Sequence, residues 1–176
     1  KFKLKLQSNT EKLVYFNQIN FYLSKKKYFF YNFNIPLGLK IKLLSANSQF
    51  TFKLPKKYLK LETSNSKPRN LFYKYQHSKD NFLNFANFFL IKNFPEIFME
   101  KYSNLERIYK SILWPKDPDF IFTTHAHYYD EIFKIYTAKN VLKGSKFLIA
   151  QHGGNYNITK NLFCYEMEKR ICDRFL

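Results

Sequence analysis

The stretch from Asp119 to Ala150 constrains this chain more than any other part of it. "DFIFTT" is a short apolar run bounded by the prolines of "WPKDP". "YYDEIFKIYTAKNVLKG" then carries apolar residues at helical spacing. Asp130 and Glu131 fall in its first turn, where they complement the helix dipole, and Gly144 reads as its C-cap. "KFLIA" is a second apolar run. The spacing predicts strands over 119–123 and 146–150 and a helix near 129–142. Strand, helix and strand within about thirty residues form a βαβ crossover, with parallel strands and a right-handed connection. Parallel strands are covered on both faces, so Ile121, Phe122, Phe147, Leu148 and Ile149 are core residues. Phe133, Ile135 or Tyr136, and Val141 supply the covering face of the helix. The fold class is α/β, built on a parallel βαβ unit.

The segment beyond the second strand bears on function, because ligands of open α/β sheets bind past the carboxyl ends of the strands. The chain has four glycines, and two of them stand side by side there, in "QHGGNYN". Gly153 and Gly154 can adopt positive φ and let a ligand approach the main-chain amides. If the chain turns helical from about Thr159, those amides form a concavity for a phosphate or carboxylate. His152 beside them can act as general base or donate to a phosphoryl oxygen. A tight strand-to-helix turn with a packing histidine accounts for the same residues, and both readings stay open here. The run is neither the dinucleotide fingerprint nor a P-loop, since no Gly-Lys-Ser/Thr comes after it.

The first strand ends in "FTTHAHYYDE". His125, His127 and Asp130 approach the His-x-His-x-Asp-His pattern of metallo-β-lactamase-like hydrolases, but Asp130 comes one residue late and no His succeeds it. No metal is therefore expected. If the crossover joins neighbouring strands, His125, Asp130, Glu131 and His152 face one crevice.

The remainder is less regular. Residues 1–70 read as an incomplete strand-rich segment, with strands in "KFKLKL", "KKYFFYNFNI" and "SQFTFKLP", a loop at "NIPLGLK" carrying Pro36 and Gly38, and a linker at "ETSNSKPRN". Residues 71–176 hold a helical part and the βαβ unit. Ser78 or Asp80 caps a helix with Phe82, Phe85, Phe89 and Leu90 on one face. Pro95 opens another, reaching Ile112, with Ile97, Phe98, Tyr102, Leu105 and Ile108 at helical spacing. In "CYEMEKRICDRF", Glu166, Glu168, Arg170, Asp173 and Arg174 form a solvated helix face, with Glu166 able to turn towards the glycine loop.

The formal charge is +17. The Lys excess comes with abundant Asn, Phe, Tyr and Ile, all A/T-rich codons, and Arg is scarce, which disfavours nucleic acid as partner. A phosphorylated substrate or an anionic membrane face suits the charge equally well. Two cysteines without C-x-x-C spacing fit a reducing, cytoplasmic setting. "FLNFANFFLIKNF" is interrupted and too short to span a bilayer, and no signal-peptide pattern leads the chain, so a soluble protein is expected. A start at Lys1 and a stop within "CYEMEKRICDRFL" read as a piece of a longer protein.

"FPEIFMEKY", "WPKDPDFIFTTHAHYYDEIFKIYTAKNVLKGSKFLIAQHGGNYN" and "EMEKRICDRFL", in that order, resemble a family of transferases from bacterial surface-polysaccharide loci. The resemblance covers about residues 78–176. It implies that the parallel βαβ unit is Rossmann-like and belongs to a two-domain, GT-B-like glycosyltransferase, of which this chain is a fragment inactive in isolation. It further implies a nucleotide-activated sugar donor, a polysaccharide or lipid-linked acceptor, no cofactor, and work in lipopolysaccharide or capsule assembly. The protein would then be cytoplasmic, with peripheral association at the inner membrane face. Carried over residue by residue, the catalytic group is His152, Asp130 and Glu131. The donor and its phosphates fall to Gln151, Gly153, Gly154, Lys134, His125 and Glu168, and Asp173 completes the pattern. Thr124-His125 stands where the family has Ser-Asn, Asn157 where it has Gly, and Met167 where it has His. The alternatives are a non-catalytic basic module for nucleic acid or anionic membrane, and an inactive homologue.

Overall fold

The computed structural model describes residues 27–47, 49, 69, 79–112, 114–154, 156, 158 and 162–176. The strands expected in "KFKLKL" and along most of "SQFTFKLP", nearly all of the linker, Asn157 and Thr159 lie outside the described residues. In chain order the elements are β1 (Tyr28–Phe30), α1 (Leu37–Ala46), α2 (Asn81–Asn93), α3 (Tyr102–Ser111), β2 (Phe120–Thr123), α4 (Ala126–Tyr129), α5 (Glu131–Val141), β3 (Lys146–Ile149), α6 (Phe163–Ile171) and β4 (Arg174–Phe175). Residues 1–55 with 112–176 make one compact unit, and residues 56–111 make a second.

The first unit is built on a four-stranded parallel sheet in the order β1-β2-β3-β4. The expected parallel pair is β2–β3, with Phe120 opposite Lys146 and Thr123 opposite Ile149. On one face Phe29, Ile121 and Phe147 stand in register, and all three are buried. Phe133 and Tyr136 of α5 pack there with Trp114; the rings of Phe29 and Tyr136 are 4.9 Å apart and those of Phe133 and Phe147 6.1 Å. The other face is less covered. Phe122 and Leu148, expected in the core, are half-buried, because α5 shields one side of these strands only and Phe30 and Phe33 partly cover the other. Val141 is likewise exposed at the end of α5, and Gly144 adopts φ +105° in the turn after the C-cap, Leu142.

Three elements differ from expectation. "NIPLGLK" is the start of α1 and not a loop: Pro36 precedes the first turn, where the missing N–H would go unused anyway, and its carbonyl accepts from Lys40 N at 3.0 Å. The terminal segment leaves helix at Ile171, so Asp173 and Arg174 are not on a helix face. Asp173 accepts from Phe147 N at 2.9 Å and from Lys146 Nζ at 2.9 Å, which draws Arg174–Phe175 alongside β3. That backbone bond, then Lys146, holds the Asp173 carboxyl below its ordinary value.

In the second unit Asp80 caps α2, accepting from Phe82 N and Leu83 N. Phe82, Phe85, Phe89 and Leu90 stand exposed, and Ile91 is the buried residue of that helix. The third departure is the helix expected from Pro95 to Ile112, which is broken into a 3-10 turn at Glu96–Phe98 and α3, where Leu105 and Ile108 are buried. The break turns Glu100 inward onto Arg69, whose guanidinium also donates to the carbonyls of Ile91, Lys92 and Phe94. No helix among the described residues is long and apolar enough to cross a membrane.

Candidate functional site at the carboxyl edge of the sheet

The three connections leaving β1, β2 and β3 meet at one edge. Where β1 ends, Asn32 holds φ +44°, a left-handed backbone uncommon outside glycine. Its carbonyl accepts from Thr123 Oγ1 at 3.2 Å and Thr124 Oγ1 at 3.4 Å, and its Nδ2 donates to Tyr129 Oη at 2.8 Å. Past β2, Thr123 Oγ1 accepts from Ala126 N and starts α4. His125, just before that helix, has its Nδ1 2.6 Å from Thr124 Oγ1. Past β3, Ala150 N donates to Thr123 O and Gln151 N to Leu176 O, so the strand leads directly into the glycine loop.

The centre of the edge is Glu168, on α6 and fully buried, although its helix looks solvated in sequence. His127 Nε2 lies 2.9 Å from its Oε1, and Tyr156 Oη donates to its Oε2 at 2.9 Å. Tyr156 Oη is also 2.8 Å from His152 Nδ1. A phenol has a single proton, and here it is committed to Glu168. The phenol oxygen therefore accepts from His152 Nδ1–H, an assignment that rests on the hydrogen-bond network. Nε2 of His152 is left with its lone pair. The ring is held edge-on between Tyr128 and Tyr156, with centroids 5.2 and 5.5 Å away.

Burial decides the electrostatics. It outweighs the Glu168 charge at His127 and lowers that imidazole, so the contact is a hydrogen bond from neutral Nε2–H. Among the described residues His127 Nδ1 has no partner, and protonating it would bury an unpaired N–H. Burial first, then the Glu168 hydrogen bond and charge, push the Tyr156 phenol up to about 12, which keeps its proton in place. Burial, with the Glu168 charge beside it, raises Tyr128 further. His125 is lowered by burial, then by His152 and Lys40.

The structure brings His125, His152 and Glu168 together; the rings of His125 and His152 are 6.3 Å apart. Gln151 Nε2 donates to Gly153 O at 2.7 Å and braces the loop. Gly153 and Gly154 do not use positive φ, and among the described residues nothing lies within 4 Å of where their Cβ atoms would be. Neither backbone sign nor packing requires glycine there. Asp130 has both oxygens engaged, accepting from Phe133 N at 2.9 Å as the N-cap of α5 and from Tyr31 Oη at 2.6 Å. Glu131 pairs with Lys134 at 2.6 Å, and Lys134 also donates to Tyr128 O. Glu166 pairs with Lys169 and stays out of the buried network, so the inward carboxylate of α6 is Glu168. Among the described residues no group of three or more His, Cys, Asp or Glu is spaced to hold a metal ion.

Residues 2–176 match the family described as LIC12162 family transferase. The chain belongs to that family. No curated protein and no solved structure matches it. In this LIC12162 family chain two residues outside the sequence-based set join the hydrogen-bond network of the candidate site, Tyr156 and His127. Tyr156 sits four residues after His152, a spacing that could flag it as the histidine's partner. The sequence presents His127 only as a metal ligand, and its alternation with His125 is the one hint that the two point to different neighbours.

Proposed function

We propose that this LIC12162 family chain is part of a glycosyltransferase that moves a sugar from a nucleotide-activated donor in surface-polysaccharide assembly. The observation that supports it is the Glu168–Tyr156–His152 chain, which leaves the Nε2 lone pair beside an exposed glycine pair at the carboxyl edge of a parallel sheet. In this reading His152 Nε2 takes the proton of an acceptor hydroxyl as its oxygen attacks the anomeric carbon. The bond to the donor phosphate breaks, and the leaving diphosphate is met by the Gly153–Gly154 amides with Gln151 behind them. Glu131, Lys134 and Asp130 hold the β2 connection in place. The acceptor is a polysaccharide or lipid-linked sugar, used at the cytoplasmic face of the inner membrane, and the fold is one part of a two-domain, GT-B-like enzyme.

Replacing His152 by Ala in the full-length protein should reduce transfer by about a hundredfold, the scale of a lost general base. The check is turnover of a panel of nucleotide sugars with purified acceptor. Wild-type turnover in that variant removes the base from His152.

A further inference from the structure

Nothing in the sequence singles out Lys40, yet the hydrogen-bond network ties it to the same edge. It lies on α1, the helix that comes after β1, and is half-buried. Its Nζ donates to Phe33 O at 3.2 Å and sits 4.8 Å from the centre of the Phe33 ring. Phe33 comes directly after Asn32, whose carbonyl is bound by Thr124, and Thr124 in turn contacts His125. Four lysines of this unit are neutralised, Lys134 by Glu131, Lys143 by Asp117, Lys146 by Asp173 and Lys169 by Glu166, while exposed ones such as Lys42 stand in solvent. Lys40 has no carboxylate partner among the described residues. An ammonium held in place by a carbonyl and a ring, with donors to spare, is arranged to meet a negative charge that the fold does not provide.

We infer that Lys40 belongs to the site and binds the phosphate groups of its ligand together with His125, across from the Gly153–Gly154 amides. This rests on the reading that the edge takes a phosphate-bearing donor, and it adds the β1 connection to that site. The ligand chemistry is a diphosphate, supplied by a nucleoside diphosphate or its sugar ester. The left-handed Asn32 agrees with this, since backbone held in sparsely populated conformations clusters at ligand sites. The positive field of Lys40 at His125 places the two groups within electrostatic reach of each other.

The test is calorimetric titration of the full-length protein with inorganic pyrophosphate in moderate salt. Lys40→Gln keeps a donor for Phe33 O and removes the charge; it should weaken binding by about tenfold, the loss of one charge-assisted contact. Lys40→Arg keeps the charge and should bind close to wild type, and Lys42→Ala, an exposed lysine of the same helix, should be neutral. Thermal unfolding confirms that the Gln variant is folded. Wild-type affinity in Lys40→Gln, an Arg variant as weak as Gln, or a wild-type protein that does not bind pyrophosphate overturns the inference. The readout is binding alone, so normal turnover in His152→Ala would sink the base while leaving the Lys40 result standing.

Discussion

His127 and Glu168 meet with side chains 4% and 0% exposed, and their geometry sets how the protein responds to acid. The titratable groups around His127 are Glu168, His125, His152 and Tyr128, whose ring is 4.2 Å from the imidazole. Burial lowers its folded pKa below the ordinary 6.5, so in that interval the unfolded chain binds a proton that the folded one refuses. Stability is then complete above 6.5 and falls as pH drops through it; His125, lowered in the same direction, adds to the effect. Thermal unfolding at about pH 7.5 and about pH 5.5 should show the lower midpoint in acid. A midpoint that rises on acidification contradicts a neutral His127. The same carboxylate holds Tyr156, so acid should loosen the support of His152 together with the fold.

At the scale of elements, side chains at the ends of helices and strands position the site. Asp130 closes the first turn of α5 and anchors Tyr31 from the β1 connection. Asp130→Ala removes both, and about 1–2 kcal/mol of stability should go with the cap. Asp130→Asn retains an oxygen for Phe133 N and should keep most of it, as denaturant unfolding would show; equal losses in the two variants would point to the charge instead. Pro36 and Asp80 illustrate what is legible locally. Asp80 is recognisable as a cap from sequence because Asx capping is a contact over two or three residues. Pro36 reads as a loop because proline marks both the end of one helix and the start of another, and only the residues after it decide which. The face of α2 misleads for a related reason: helical spacing shows that Phe82, Phe85 and Phe89 share a side, but not what lies against it.

For the whole molecule, a charge of +17 raises the question whether binding is merely polyanionic. A site built around one diphosphate engages few counterions, so log K against log salt should fall with a slope of about 2 or less, whereas a polyanion binder falls far more steeply. Titrating a nucleoside diphosphate and a long nucleic acid across the same salt range separates the two. The sequence by itself determined the βαβ unit, its parallel pairing and the placing of His152 at a strand's carboxyl end. Those features come from periodicity and chain direction, which are properties of neighbouring residues. It also carried the family pattern that included Glu168. Only the tertiary structure decided that Glu168 is buried at the centre of the edge. On its own helix it sits among Glu166, Lys169 and Arg170 and reads as one more solvated charge. Its partners are Tyr156 and His127, 12 and 41 residues away. A carboxylate can be buried only where donors meet it, and here one arrives from the β2–β3 connection and the other from the loop ahead of α6, once the sheet has brought them together.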